Sequence, residues 1–303
     1  MLYLPTDIAT YTDDELHAYV QMCDDVFNTE FSRIAVELCR DPEFRLLGLS
    51  GPTCSGKTTA AKKLADEFAA MGRKTYVVSI DDFYYDVSVM EKISKESGQE
   101  VDFESIKSID LDLLRKCVAE LFELGYSDIP RFDFKTGTRS GFERLAPGKN
   151  DVIIFEGIQV IYPEVMELFE SYHFKTLFIC ASSSIFASNR VFEPNEIRLL
   201  RRIVRDVKHR NSSVPYTLEL WHTVRANEEK NIFPYKDRFD YSIDSSMAYE
   251  LSILAPKLIS LLSATPDSGE AGRFKKTMLE KISDIYGISD EYIEADSLYM
   301  EFI

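Results

Sequence analysis

The sequence is short of positive charge, of cysteine and histidine, and of long apolar runs, and each shortage excludes something. Thirty-five Lys and Arg stand against 51 Asp and Glu, a formal net charge of −16. A chain this acidic is a poor general binder of nucleic acid or of anionic membranes, so any phosphate it handles must meet local positive features set in an acidic body. The five cysteines, Cys23, Cys39, Cys54, Cys117 and Cys180, are odd in number and form no C-x-x-C pair. That argues against a disulfide scaffold or a zinc site and fits a reducing, cytoplasmic setting. None of the four histidines pairs with another His or a Cys at metal-ligand spacing. No apolar run reaches bilayer length, and the N-terminus lacks the basic stretch and apolar core of a signal peptide. With 45% hydrophobic residues the chain is nonetheless no disordered acidic polymer.

What is present is a regular alternation of short apolar runs and amphipathic stretches. Residues 12–39 read as two helices, the first opened by Thr12 with acids behind it. Strands are expected at 44–50, 74–80, 152–155, 176–181 and 239–243, and helices at 57–71, 110–124, 194–209, 216–230, 247–262 and 270–286. Apolar strands interleaved with helices predict an α/β fold, a five-stranded, mostly parallel sheet with helices on both faces. At 303 residues the chain is expected to be one domain with additions at its ends. These are a helical N-terminal extension over 1–43, a central domain over 44–263, and a C-terminal helical tail over 264–303 that closes irregularly and acidic.

Three motifs carry chemistry. Gly51-Pro52-Thr53-Cys54-Ser55-Gly56-Lys57-Thr58 is a full G-x-x-x-x-G-K-[ST] P-loop between a strand and a helix. Its glycines let backbone N–H groups wrap phosphates at a helix N-terminus. Lys57 would bridge the β- and γ-phosphates of ATP, Thr58 would hold Mg²⁺, and Thr59 extends the cradle. Asp81 and Asp82 end the second strand, at the sheet edge that faces the ligand crevice, where a carboxylate can take the proton of an attacking hydroxyl. Glu156 ends the third strand in the manner of a Walker B acid and would serve the same Mg²⁺. Elsewhere, Asp-Asp after a strand is usually a turn and a strand-end acid usually structural; beside a P-loop the functional reading is favoured. A fourth feature, Arg198, Arg201, Arg202, Arg205 and Arg210, is the densest arginine cluster in the chain. Basic runs are usually solvated helix faces, yet this one suits a clamp on a transferring phosphoryl group.

With these features in this order, the chain resembles the uridine kinase and phosphoribulokinase family over about residues 46–262, and more narrowly a bacterial uridine kinase-like branch. Further support comes from Val101-Asp102-Phe103-Glu104, Phe134-Lys135-Thr136-Gly137-Thr138-Arg139, Leu199-Leu200-Arg201-Arg202-Ile203-Val204-Arg205-Asp206, Glu228-Glu229-Lys230-Asn231-Ile232-Phe233-Pro234-Tyr235 and the closing residues 297–303. The resemblance implies a P-loop kinase using ATP and Mg²⁺, with Asp81 catalytic and Glu156 at the metal. Tyr84, Asp102, Phe132, Arg139 and Arg202 would contact the acceptor, and Arg205 and Arg210 would reach ATP phosphates from a mobile lid over about 195–216. Three positions depart from the family pattern: Gly137 stands for a base-contacting His, Phe132 for a Tyr and Leu220 for a base-contacting Gln. A small-molecule acceptor, foremost a nucleoside, is therefore expected, with another alcohol or a sugar phosphate as the alternative. A GTPase lacks support because no N-K-x-D motif is present, and an ABC ATPase because no L-S-G-G-Q is. A non-catalytic relative is disfavoured by the intact Lys57, Thr58, Asp81 and Glu156, and a homo-oligomer remains compatible with the sequence.

Overall fold

Helix formation begins with a strong signal. Thr12 accepts from the Glu15 backbone N–H at 3.3 Å, and the Glu15 carboxylate accepts from the Thr12 N–H at 2.8 Å, a reciprocal capping box. The helix it opens, α1 (Asp13–Cys39), runs unbroken for 27 residues. The expected pair of helices is one, because no Gly or Pro interrupts the segment and Leu16, Val20, Phe27, Phe31, Ile34 and Leu38 keep a single buried stripe. The computed structural model describes residues 1–97 and 105–303.

A two-residue strand β1 (Leu2–Tyr3) precedes α1. After it come β2 (Leu46–Ser50), α2 (Lys57–Ala70), β3 (Thr75–Ser79), α3 (Val87–Ser97) and α4 (Leu111–Glu123). A hairpin of β4 (Ser127–Asp133) and β5 (Thr138–Leu145) leads to β6 (Val152–Glu156), α5 (Pro163–Phe169) and β7 (Phe174–Cys180). Then follow β8 (Ile185–Ala187), β9 (Arg190–Phe192), α6 (Pro194–Arg210), α7 (Val214–Asn231), β10 (Tyr241–Asp244), α8 (Glu250–Ser263) and α9 (Gly269–Ile282).

The main sheet has five strands in the order β10-β7-β2-β6-β3, every pair parallel. Its central strands are buried on both faces, as parallel sheets require. In β2, Leu47 and Leu49 point into one core and Leu46 into the other. The larger core takes α1, α2, α6, α8, α9 and the chain end; the smaller takes α4, α5 and the hairpin. β2 leads through α2 to β3 on one side and its neighbour β7 leads to β10 on the other, so the crevice at the carboxyl end of β2 lies at a topological switch point.

The last strand starts at Tyr241 rather than 239 because the Asp240 carboxylate accepts from both N–H and Oγ1–H of Thr176, at 2.9 and 2.8 Å, in place of a ladder bond. The final helix ends at Ile282, four residues early. The tail beyond it is acidic but not loose: Ile285, Ile288, Leu298, Tyr299, Phe302 and Ile303 are all buried in the larger core. Among the described residues no helix is long and apolar enough to cross a membrane.

Candidate active site

The P-loop sits where the motif placed it, between β2 and α2. Gly56 has φ +92° and Cys54 φ +56°, the left-handed turns that aim the loop's N–H groups inward. A side chain on Gly51 would lie 2.1 Å from the Ile179 carbonyl oxygen, so the loop can pass here only as glycine. Lys57 donates to the carbonyls of Gly51 at 2.9 Å and Pro52 at 3.1 Å, folded over the cradle. Ser55 is buried and its Oγ has no hydrogen-bond partner among the described residues. Thr58 is exposed at the mouth. An orphan hydroxyl, a lysine at hand and an open turn of N–H groups at a helix start fit a polyphosphate. Thr53 is held from outside: its N–H donates to Glu228 at 3.3 Å, and its carbonyl and hydroxyl accept from Arg198 and Arg202 at 3.2 and 3.4 Å.

Across the crevice, Asp81 and Asp82 lie in a 3₁₀ turn after β3 and face different ways. Asp82 is structural: it accepts from the Phe132 N–H at 3.0 Å and from Arg131 at 2.8 Å, tying the hairpin to the sheet. Asp81 faces the crevice. Burial pushes its carboxyl above the usual range, Tyr84, Lys57 and Gln159 oppose the shift, and Asp82 adds to it. Glu156, at the end of β6, is likewise raised by burial, held down by Lys57 and Ser79, and pushed up by Asp81 and Glu301. Thr58 and Glu156 would hold Mg²⁺. Among the described residues no three His, Cys, Asp or Glu side chains gather as a metal cage. The bound ion would neutralise charge on the phosphates.

Beside Asp81, Tyr84, Phe132 and Phe134 meet edge to face, with centroids 5.2–6.3 Å apart, Phe134 mostly exposed. Gln159 donates to the Tyr84 hydroxyl at 2.7 Å. Arg139 crosses under this corner, donating to the Tyr84 carbonyl at 3.2 Å and pairing with Asp110 at 2.9 Å. Gly137, where the family pattern has a base-contacting His, has φ +67°, and a Cβ there would come within 2.4 Å of Val87. Its carbonyl accepts from the Val87 N–H at 2.8 Å, so this position serves the turn. Asp102 lies outside the described residues.

The arginines divide into two groups. Arg198 and Arg201 are fully buried. Arg198 pairs with both oxygens of Glu228 at 2.6 and 2.7 Å, and Arg201 pairs with Glu250 while donating to the Cys54 carbonyl at 3.1 Å. These two are neutralised and brace the P-loop. Arg202, Arg205 and Arg210 instead converge on one carboxylate, Asp206, at 3.2, 2.9 and 3.7 Å. Three cations on one anion leave a positive excess beside the cradle, as a phosphate clamp needs. Arg202 also reaches the Thr53 hydroxyl of the P-loop. The expectation of a lid over 195–216 is corrected for its first half: Ile197, Leu200 and Ile203 are core residues, and the longest exposed run lies from Lys208 to Asn211. Glu228, Glu250, Asp206, Gln159 and Glu301 were not anticipated. Arginines interleaved with Leu and Ile were the available signal, since a buried cation demands a buried partner.

A family model for "Phosphoribulokinase / Uridine kinase family" matches residues 46–252. The chain belongs to that family. A uridine kinase of Halalkalibacterium halodurans is 30% identical over 200 residues, covering 65% of this chain and 84% of that protein. Uridine-cytidine kinase 2-B of Danio rerio is 28% identical over 206 residues, covering 65% and 72%. Uridine kinase-like protein 4 of Arabidopsis thaliana is 27% identical over 214 residues, 69% of this chain, and the chain spans only 41% of that protein's length. The P-loop, strand-end carboxylates and arginine cluster all lie inside the family match.

Proposed function

We propose that the protein transfers the γ-phosphate of ATP, with Mg²⁺, to a hydroxyl of a small molecule, foremost a nucleoside, in a reducing cytoplasm. The observation that carries the reading is the placement of Asp81, a half-buried carboxylate facing the crevice opposite Lys57 and beside an aromatic corner. Phosphoryl transfer asks for a hydroxyl held in line and a place for its proton, and a carboxylate on a rigid strand end supplies both. Phe134, mostly exposed, offers an apolar surface that suits a planar ring, with Tyr84 and Phe132 packed edge-to-face behind it. The five unpaired cysteines support the compartment.

Gly137 favours a refinement of the acceptor. A base read by hydrogen bonds needs a polar side chain there, and the turn excludes one, so ring recognition rests on shape and stacking. Nucleosides differing only in their base edges should therefore be phosphorylated at similar rates. The test is ADP release across nucleosides, sugar phosphates and small alcohols. A clear preference for a sugar phosphate, with nucleosides inert, would overturn the nucleoside reading.

A further inference from the structure

Leu298–Glu301 form a 3₁₀ turn beside the P-loop and the start of α2. Residues 296–303 pack on the first turns of α2, and side-chain burial shows that they do not fray: Leu298, Tyr299 and Phe302 are fully buried. Leu298 lies so close to the P-loop that a Cβ on Gly56 would come within 2.1 Å of its Cδ1. Asp296 pairs with Lys63 at 3.0 Å, and the Tyr249 hydroxyl bridges Asp24 at 2.6 Å and Ser297 at 3.4 Å. Tyr299 stacks edge-on against Tyr249 and packs under the Arg201 guanidinium at 5.6 Å. The 3₁₀ turn then presents one carboxylate to the loop. Glu301 accepts from the Thr59 hydroxyl at 3.2 Å.

We propose that Glu301 is a built-in stand-in for a nucleotide phosphate, a carboxylate that occupies the anion position at Thr59 and must be displaced before ATP seats. Thr59 belongs to the cradle, next to the exposed Thr58 and at the positive end of α2. An anion is favoured there in the empty protein, and the tail supplies one. Glu301 also acts electrostatically on Glu156 and Arg205, which places its charge among the groups that serve the phosphates. The backbone that carries it is anchored on both sides by buried residues, so displacement is a side-chain swing and not an unfolding of the tail. The consequence is a lowered affinity for nucleotide: part of the attraction of the site for phosphate is already met internally, and the residual negative charge repels the incoming one.

This inference rests on the proposal that the P-loop binds ATP, and the experiment separates the two. Binding of ATP and ADP to the full chain is measured by isothermal titration for wild type, Glu301→Gln and Lys57→Ala, each with Mg²⁺ and with EDTA. The amide keeps the shape and removes the charge, so Glu301→Gln should tighten both nucleotides roughly five- to tenfold at low salt, with and without metal, and the gain should shrink at high ionic strength. Unchanged or weaker binding in Glu301→Gln, with Lys57→Ala strongly impaired, overturns the stand-in and leaves the P-loop reading in place. A loss in Mg²⁺ that vanishes in EDTA makes Glu301 a metal-shell residue and also overturns it. Wild type and Lys57→Ala binding equally poorly overturns both. Glu301→Ala repeats the test without an amide that could bond Thr59.

Discussion

At the scale of single residues, the two adjacent aspartates are the sharpest contrast. Asp82 is committed to Arg131 and the Phe132 N–H, whereas Asp81 faces the crevice. Asp81→Asn should lower kcat by roughly a hundredfold or more with ATP binding little changed, the loss of a positioned base. It should also raise the melting temperature at neutral pH. The folded-state pKa of Asp81 is raised, so the folded protein binds its proton more tightly than the unfolded chain, and stability falls as pH climbs from the usual carboxylate pKa through the folded one. Above that window the ionised carboxylate is a net cost that the amide relieves. A lowered melting temperature would show that Asp81 is structural. Asp82→Asn should loosen the hairpin, raising acceptor KM more than it lowers kcat. The same shift fixes the acid limb of the pH profile: activity needs Asp81 ionised, so kcat should fall at a pH above that of an ordinary aspartate, and the limb should be absent in the residual activity of Asp81→Asn.

Much of this was legible. The P-loop, the strand-end acids and the buried strands are local patterns, each set by residues within a few positions of one another. The split role of Arg198 and Arg201 was not, because their partners Glu228 and Glu250 lie 30 and 49 residues further along, and only the fold brings them together. The hairpin escaped for a different reason. Ser127–Asp133 contains Pro130 and an irregular step between Arg131 and Phe132, which blur the strand alternation.

At the scale of elements, α6 braces the P-loop with its N-terminal half and carries the proposed phosphate clamp in its C-terminal half. Its N-terminal half is fixed by ion pairs that nothing else can satisfy. Glu250→Gln leaves the Arg201 cation buried without its carboxylate and should cost about 3–5 kcal/mol, read as a fall in denaturant midpoint with unchanged slope. A loss under about 1 kcal/mol would mean that water reaches Arg201 and that the brace is weaker than its burial implies. Hydrogen exchange locates the moving part. Amides from Ile197 to Ile203 should exchange slowly with or without nucleotide, while those from Lys208 to Ser213 should slow when ATP and Mg²⁺ are added. Nucleotide-dependent protection spread evenly over both halves would restore a lid of the full expected length.

At the scale of the whole molecule, both ends of the chain belong to the larger core rather than hanging from it. Asp24 on α1, Tyr249 just before α8 and Ser297 in the tail share one buried hydrogen-bond network, and Lys63 on α2 pairs with Asp296 beside it. The ends therefore lock the P-loop helix from two directions, and the apolar residues of the tail read from sequence as irregular because their partners are far away along the chain. On the proposed function, a rigid floor under the phosphates and a separate acceptor corner beside the hairpin would divide the labour: the sheet edge positions charge, and the hairpin chooses the alcohol. The measurement that tests this most directly is a single turnover with ATP labelled in its γ-phosphate, in the presence of a nucleoside panel, for wild type and Asp81→Asn. The account predicts label on a hydroxyl of the nucleoside with wild type, and at least about a hundredfold slower transfer with Asp81→Asn. Label recovered only as inorganic phosphate, at a rate indifferent to every acceptor and to Asp81, would contradict it.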